Sequence, residues 1–223
     1  MKTVPMTEEL YQYVMKFCPL PHPILKKVEE ETAIRKDKGM QISRDQGAFM
    51  HMLAKLMNAE NAIEVGCFTG YSAISIAMGL SKTGKLYTLD IDEDTAKVAK
   101  KYFADAGLAN KIEHLLGPAN KSLDTLAQKV GKNRFDIAFV DADKTGYLGY
   151  YEQLLTLIRP GGIIIADNVI WGGSVIDSTQ QSDDTKAVRK FAEVVSRDER
   201  VDVMMLHISD GLLLIRKKEI NEK

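Results

Sequence analysis

The feature that most constrains this chain is a rhythm: from residue 62 to residue 167, short apolar runs of strand length alternate with stretches of helical periodicity. Strand 62–66 leads to a helix at about 71–80, strand 85–91 to a helix at about 93–106, and strand 112–117 to a helix at about 119–130. Strand 135–141 precedes a helix at about 146–158, and Arg159-Pro160-Gly161-Gly162 turns the chain into a buried-type strand, Gly162 to Asp167. Five such units predict a parallel sheet with helices on both faces, because right-handed crossovers leave few other topologies. The ending breaks the pattern. After a polar loop at about 170–183 and a helix at about 184–197, strands 201–208 and 212–217 are joined only by Ser209-Asp210-Gly211, a hairpin signal. The expected fold is therefore α/β: a doubly wound, seven-stranded, mostly parallel sheet with an antiparallel C-terminal hairpin and extra N-terminal helices.

Upstream of the rhythm, Thr7 with Glu8 and Glu9 opens a helix that runs to about Phe17, where Pro19, Pro21 and Pro23 forbid its continuation. A second helix, from about Ile24 to Lys38, carries a run of charges that reads as a solvated face and stops at Gly39. Ser43 followed by Gln46 reads as a capping box. Phe49, Leu53, Leu56 and Met57 then recur at helical spacing, so helix 44–58 should face the core, with Met50, Met52 and Met57 as filler. At 223 residues and 45% hydrophobic content the chain suits one domain, 1–223, divided into a helical arm at 1–38 and a Rossmann-like core at 39–223.

A formal net charge of -1 gives no global field for nucleic acid or an anionic membrane, and no apolar run approaches the roughly 20 residues of a bilayer span. A small-molecule ligand is the expectation. Cys18 and Cys67 lack metal-type spacing and the N-terminus lacks the apolar core of a signal peptide, which predicts a cytoplasmic protein with reduced thiols. His22, His51, His114 and His207 read as satisfied structural residues.

In open α/β sheets the ligand lies at the carboxyl ends of the strands, so the residues that end each strand carry the functional signal. The first strand ends in Glu64-Val65-Gly66-Cys67-Phe68-Thr69-Gly70-Tyr71-Ser72, a glycine turn compatible with either a nucleotide-type ligand or plain packing. Asp90 follows Gly66 by 24 residues, close to the spacing of about 20 at which an acid accepts hydrogen bonds from ribose; its alternative is a helix N-cap, for which Asp92 or Asp94 is available. Phe68 stands where a dinucleotide fingerprint has glycine, which argues for a nucleoside without a diphosphate. Asp141, Asp167 and Asn168 end two strands expected to be neighbours and offer only oxygen donors, a set that selects Mg²⁺, Mn²⁺ or Ca²⁺ over zinc, unless these residues merely cap helices. Lys144 is either an ion-pair partner of those acids or a general base.

Taken together, Glu64 to Ser72, Leu89-Asp90-Ile91, Gly117-Pro118-Ala119, Phe139 to Lys144, Asp167-Asn168-Val169-Ile170-Trp171 and Asp210-Gly211 resemble the cation-dependent, S-adenosylmethionine-dependent O-methyltransferases of the caffeoyl-CoA and catechol type, over roughly residues 39 to 217. The resemblance implies that Glu64, Gly66, Ser72, Asp90, Ala119 and Asp143 contact the methyl donor. It implies that Asp141, Asp167 and Asn168 hold a divalent cation, with Lys144 as base and Asp141 beside it in catalysis. The chemistry is coherent: a phenol near pKa 10 must lose about three units to ionise at neutral pH, roughly 4 kcal/mol, and a divalent charge supplies much of that. Trp171 is expected to wall the acceptor pocket under the 170–177 loop. The chain departs from plant members near Gly172, where they place a polar side chain against the substrate, and the implied acceptor is a free catechol-bearing phenolic. Homodimers are the family habit. Two rival readings are a nicotinamide-dependent oxidoreductase, opposed by Phe68 and the oxygen-donor set, and a non-catalytic nucleotide sensor.

Overall fold

A computed structural model describes residues 4–18 and 22–219, so Pro19 and Pro21, expected to end the first helix, lie outside the described residues. The helices are α1 (Glu8–Met15), α2 (Ile24–Ala33), α3 (Arg44–Leu56), α4 (Tyr71–Gly79), α5 (Glu93–Asp105), α6 (Ala119–Lys129), α7 (Tyr147–Leu157) and α8 (Asp183–Ser196). The strands are β1 (Asn61–Val65), β2 (Lys85–Asp90), β3 (Ile112–Leu116), β4 (Phe135–Val140), β5 (Ile158–Ala166), β6 (Val201–Leu206) and β7 (Leu212–Lys217).

They form one seven-stranded sheet in the order β3-β2-β1-β4-β5-β7-β6, with β1 to β5 parallel and β7 inserted antiparallel between β5 and β6. The expected architecture is the one found. Strand order reverses at β1, whose neighbours are β2 on one side and β4 on the other, and such a switch point opens a crevice at the carboxyl ends. Register aligns those ends: Val65 lies opposite Leu89 and Val140, and Val140 opposite Ala166. Gly66, Asp90, Asp141 and Asp167 therefore leave the sheet along a single edge.

The pleat of the strands divides the core into two layers. Ile63, Val65, Ala138 and Val140 pack with Leu123, Leu126 and Leu154 of α6 and α7, while Ala62, Ile137 and Phe139 face α2 to α5 on the other side. α2 joins this second layer because Ile24, Leu25, Val28 and Thr32 share one face and are buried. Leu25 and Val28 are fully enclosed, which stabilises the docking by on the order of 1.5–3 kcal/mol each.

Several local expectations are corrected. The charges of α2 do not simply face solvent: Glu29 receives Arg44 Nη2 at 2.8 Å and the Tyr71 hydroxyl at 3.0 Å, and Glu31 receives Lys101 at 2.7 Å and the Tyr102 hydroxyl at 2.5 Å. α2 ends at Ala33, five residues short of Lys38, and a 3₁₀ turn over Lys38–Met40 follows. Arg159-Pro160-Gly161-Gly162 does not precede β5 but lies within it, tolerated by a register irregularity opposite Phe135 to Ile137 and by Gly161 at φ 74°. The capping box is absent, since Ser43 Oγ bonds Asp45 Oδ1 at 2.5 Å and caps no backbone N–H of α3. Met52 is exposed. The 170–183 loop contains a 3₁₀ segment, Trp171–Ile176, kinked by Gly172 and Gly173 at positive φ. Of the histidines, His114 departs from expectation: neither ring nitrogen has a partner among the described residues.

Candidate active site

The carboxyl edge of the sheet borders a cavity of about 1000 Å³ that runs from Asp90, Gly117 and Ala119 past Gly66 and Ser72 to Asp141, Lys144, Asp167, Asn168 and Trp171. All the residues singled out from the sequence lie on its wall except Glu64, which is buried beside it.

At the β1 end, Gly66 adopts φ 97°, and a Cβ there would stand 2.0 Å from the Asp141 carbonyl oxygen. Glycine is required because the exits of β1 and β4 touch, a packing reason that sequence reading did not separate from ligand approach. The next two residues are held by Asp90: its Oδ2 accepts from the N–H groups of Cys67 and Phe68, both at 2.8 Å, and its Oδ1 from Ile91 at 2.7 Å and Asp92 at 3.0 Å. These four bonds stabilise a turn in which Phe68 has φ 50°, an uncommon backbone state for a side chain of that size. Asp90 is thus not the N-cap of α5; Asp92 is, accepting from Asp94 and Thr95. Arg35 lies over the outer face of Phe68 at 5.6 Å from the ring centre, tying the segment after α2 to the cavity rim.

Glu64 is wholly enclosed. Its Oε2 accepts the Thr88 hydroxyl at 2.5 Å, and Oε1 has no partner among the described residues. Burial raises its carboxyl from the ordinary 4.5 to about 8, with the neighbouring hydroxyls of Ser72 and Thr88 offsetting only part of the effect. A buried acid with one unfilled oxygen suits a cationic ligand group beside it. Ser72 sits in the first turn of α4, which opens at Gly70, and Ala119 opens α6 behind Pro118, so two helix N-termini border the cavity. Asp143 is fixed by the Tyr150 hydroxyl, which donates to Oδ1 at 2.6 Å.

The far half is ordered around Lys144, whose side chain is only 6% exposed. Its Nζ donates to Asp141 Oδ1 at 3.1 Å, Asn168 Oδ1 at 2.7 Å and the Tyr147 hydroxyl at 2.7 Å, which engages all three ammonium protons. Trp171 closes this end, its ring centre 5.5 Å from Nζ. Asp167 is 2% exposed, and its carboxyl is raised by burial and by the Asp141 charge. Oδ1 of Asp167 accepts the Asn168 N–H and Oδ2 accepts Gln46 Nε2, each at 2.7 Å.

Among the described residues no three of His, Cys, Asp and Glu cluster as a metal site. The oxygen set here is two carboxylates and one amide, the donor type that a hard divalent cation takes, and the Lys144 ammonium already places positive charge against two of the three, Asp141 and Asn168.

Sequence reading missed Gln46, Tyr147 and Tyr150. Gln46 carried a signal, its spacing from Ser43, but that signal pointed to a cap rather than to Asp167, 121 residues away. The tyrosines carried none beyond proximity to Lys144.

The chain is 37% identical over 227 residues to caffeoyl-CoA O-methyltransferase 3 of Nicotiana tabacum, an alignment covering 97% of this chain and 93% of the relative. It is 35% identical to a caffeoyl-CoA O-methyltransferase of Eucalyptus gunnii, covering 99% and 92%. Among solved structures, an O-methyltransferase of Bacillus cereus in complex with SAH superposes with a TM-score of 0.85 at 32% identity, covering 93% of this chain and 96% of that one. An O-methyltransferase of Streptomyces achromogenes involved in tomaymycin synthesis, in complex with SAM, gives 0.85 at 30%, covering 96% and 100%. With the O-methyltransferase sequence profile matching residues 16–218, the chain belongs to the O-methyltransferase family.

Proposed function

We propose that this enzyme transfers a methyl group from S-adenosylmethionine to one hydroxyl of a free catechol-type phenolic, with a divalent cation, Mg²⁺ first among the hard ions, held by Asp141, Asp167 and Asn168. The observation that carries the reading is the convergence of Lys144 Nζ, Asp141 Oδ1 and Asn168 Oδ1 beneath Trp171, at the end of a cavity whose other end is bordered by two helix N-termini. The two solved relatives in complex with SAH and SAM support the donor.

When bound, the donor supplies an electrophilic methyl group and the cation supplies charge that favours the phenolate. The chain supplies the rest. Gly66, Ser72, Asp90, Ala119 and Asp143 line the proposed donor half, with Glu64 buried beside the Ser72 hydroxyl. Trp171 offers a flat wall against which a planar ring is oriented, so that one hydroxyl faces the donor end. Lys144 Nζ takes the phenolic proton as the neutral amine, after one of its three ammonium protons has passed to solvent and the contact that proton made has been given up. The acceptor is assigned as a free phenolic because, among the described residues, Lys144 is the one cationic residue on the cavity wall, and the phosphates of a coenzyme A ester would call for more.

The test is transfer of a labelled methyl group from S-adenosylmethionine to a panel of catechols and to caffeoyl-CoA, with Mg²⁺ or with EDTA. Mg²⁺-dependent labelling of free catechols is expected. Full activity in EDTA would remove the metal role, and labelling of caffeoyl-CoA alone would remove the acceptor assignment.

A further inference from the structure

Gln46 is fully buried on α3, yet it belongs to the cavity wall rather than to either apolar layer. Its Nε2 donates to Asp167 Oδ2 at 2.7 Å. With Asp167 ionised, as a cation ligand must be, the amide cannot be turned round, because a carboxylate only accepts and the carbonyl oxygen would then face a second acceptor. Oε1 is thereby directed away from Asp167, and it finds no donor among the described residues. A buried acceptor left without a partner is costly, and because Gln46 is a residue of the cavity wall this points to an O–H group that arrives beside it with a ligand or as water. On the other side of the same carboxylate the Asn168 N–H grips Oδ1 at 2.7 Å. Two N–H groups from elements far apart in sequence thus hold opposite oxygens of one side chain and fix its plane.

We propose that Gln46 is the positioning residue of Asp167: its N–H sets the carboxylate from the α3 side while Oε1 receives an O–H group held in the cavity. The inference rests on the metal reading above, in which Asp167 is a ligand. Glutamine suits the position because an ionised glutamate there could not donate to Asp167, and a lysine would put a full positive charge against it. Outer partners of this kind orient a ligand's lone pairs, and their loss commonly weakens metal binding 10- to 100-fold.

The test uses Gln46→Met, which keeps the length and removes both polar atoms, and Gln46→Leu as a second apolar variant. Mn²⁺ affinity is measured from the free-ion electron paramagnetic resonance signal, with S-adenosylhomocysteine binding by calorimetry as the control for an intact site. The expected result is Mn²⁺ binding weakened by about 10- to 100-fold in both variants, with S-adenosylhomocysteine affinity within about twofold of wild type. Pyrocatechol binding, measured with each variant saturated in Mn²⁺, then identifies the O–H group: weaker binding in the variants names the acceptor hydroxyl, and unchanged binding names water. Unchanged Mn²⁺ affinity in a variant that binds S-adenosylhomocysteine normally would show that Gln46 only fills space, and parallel loss of both affinities would show that it only supports the fold. Either overturns the proposal while leaving the metal reading intact. A wild type that binds no Mn²⁺ would instead remove the metal reading and this inference with it.

Discussion

Replacing Glu64 by glutamine should expose a proton that moves whenever the methyl donor binds. Glu64 is enclosed, and burial lifts its carboxyl from 4.5 to about 8, so at pH 7 roughly 0.9 of the ligand-free molecules carry it protonated. Under the proposed donor placement, positive charge on the donor beside Glu64 favours the ionised form and expels that proton. Wild-type binding of S-adenosylmethionine at pH 7 should therefore release close to one proton, read as the slope of calorimetric enthalpy against buffer ionisation enthalpy. In Glu64→Gln the slope from this site should be zero, and affinity should fall about 10- to 100-fold, the worth of one charged hydrogen bond. The same group makes a claim about stability. Because its folded value lies above its unfolded one, the native state holds the proton more tightly between pH 4.5 and about 8, and stability falls as pH rises through that window. By pH 7 the loss is about 3 kcal/mol, taking 1.36 kcal/mol per unit over the interval above 4.5. Glu64→Gln should thus gain stability over wild type in urea titrations at pH 7 and converge with it near pH 4.5. Parallel stability curves for the two proteins, or equal proton release, would refute the reasoning.

Lys144→Met should lower kcat at least about 100-fold in a labelled-methyl assay while S-adenosylhomocysteine still binds, as expected for loss of a general base; wild-type turnover would exclude that role. Arg189 donates to the carbonyl oxygens of Ser174, Val175, Asp177 and Gln180 and so pins the segment that follows Trp171. Arg189→Ala should raise the acceptor KM by roughly tenfold, about 1.4 kcal/mol, with donor affinity unchanged, and a change confined to the donor would contradict this placement. Gly66→Ala should destabilise the chain by several kcal/mol, more than the roughly 1–2 kcal/mol of an unfavourable φ alone, because its Cβ meets the Asp141 carbonyl; a melting temperature within two or so degrees of wild type would show that the strand ends can part.

What the sequence made legible follows from what is periodic or sits at strand ends. The β-α alternation predicted the sheet, and the Asp-Gly turn placed the antiparallel pair, because both are local patterns with a single compatible topology. Asp90, Asp141 and Asp167 could be gathered from the sequence since each follows the last apolar residue of a strand, and Asn168 comes directly after Asp167. The misses have a different physics. Gln46 and Tyr147 reach their partners through tertiary contacts that leave no periodic trace, and the capping pattern was a local option lost at both ends, Ser43 to Asp45 and Gln46 to the buried Asp167. The acids of α2 looked like a wet surface because nothing in the sequence announces that Arg44, Tyr71 and Lys101 will be brought against them. The Pro160-Gly161 pair looked like a stop, yet a strand can absorb it where its partner slips by a residue.

The contact between Gly66 and the Asp141 carbonyl reaches beyond the turn it shapes. It joins the two halves of the cavity where β1 and β4 end, so the proposed seats of donor and acceptor share one packed backbone contact. Adjustment to a new substrate is left to the segment bearing Trp171, where Gly172 and Gly173 supply two permissive links. Such a division predicts how a lineage built on this frame diversifies: the joint stays while the glycine-linked flap is rewritten, and new acceptors arrive without the reacting distance ever being renegotiated.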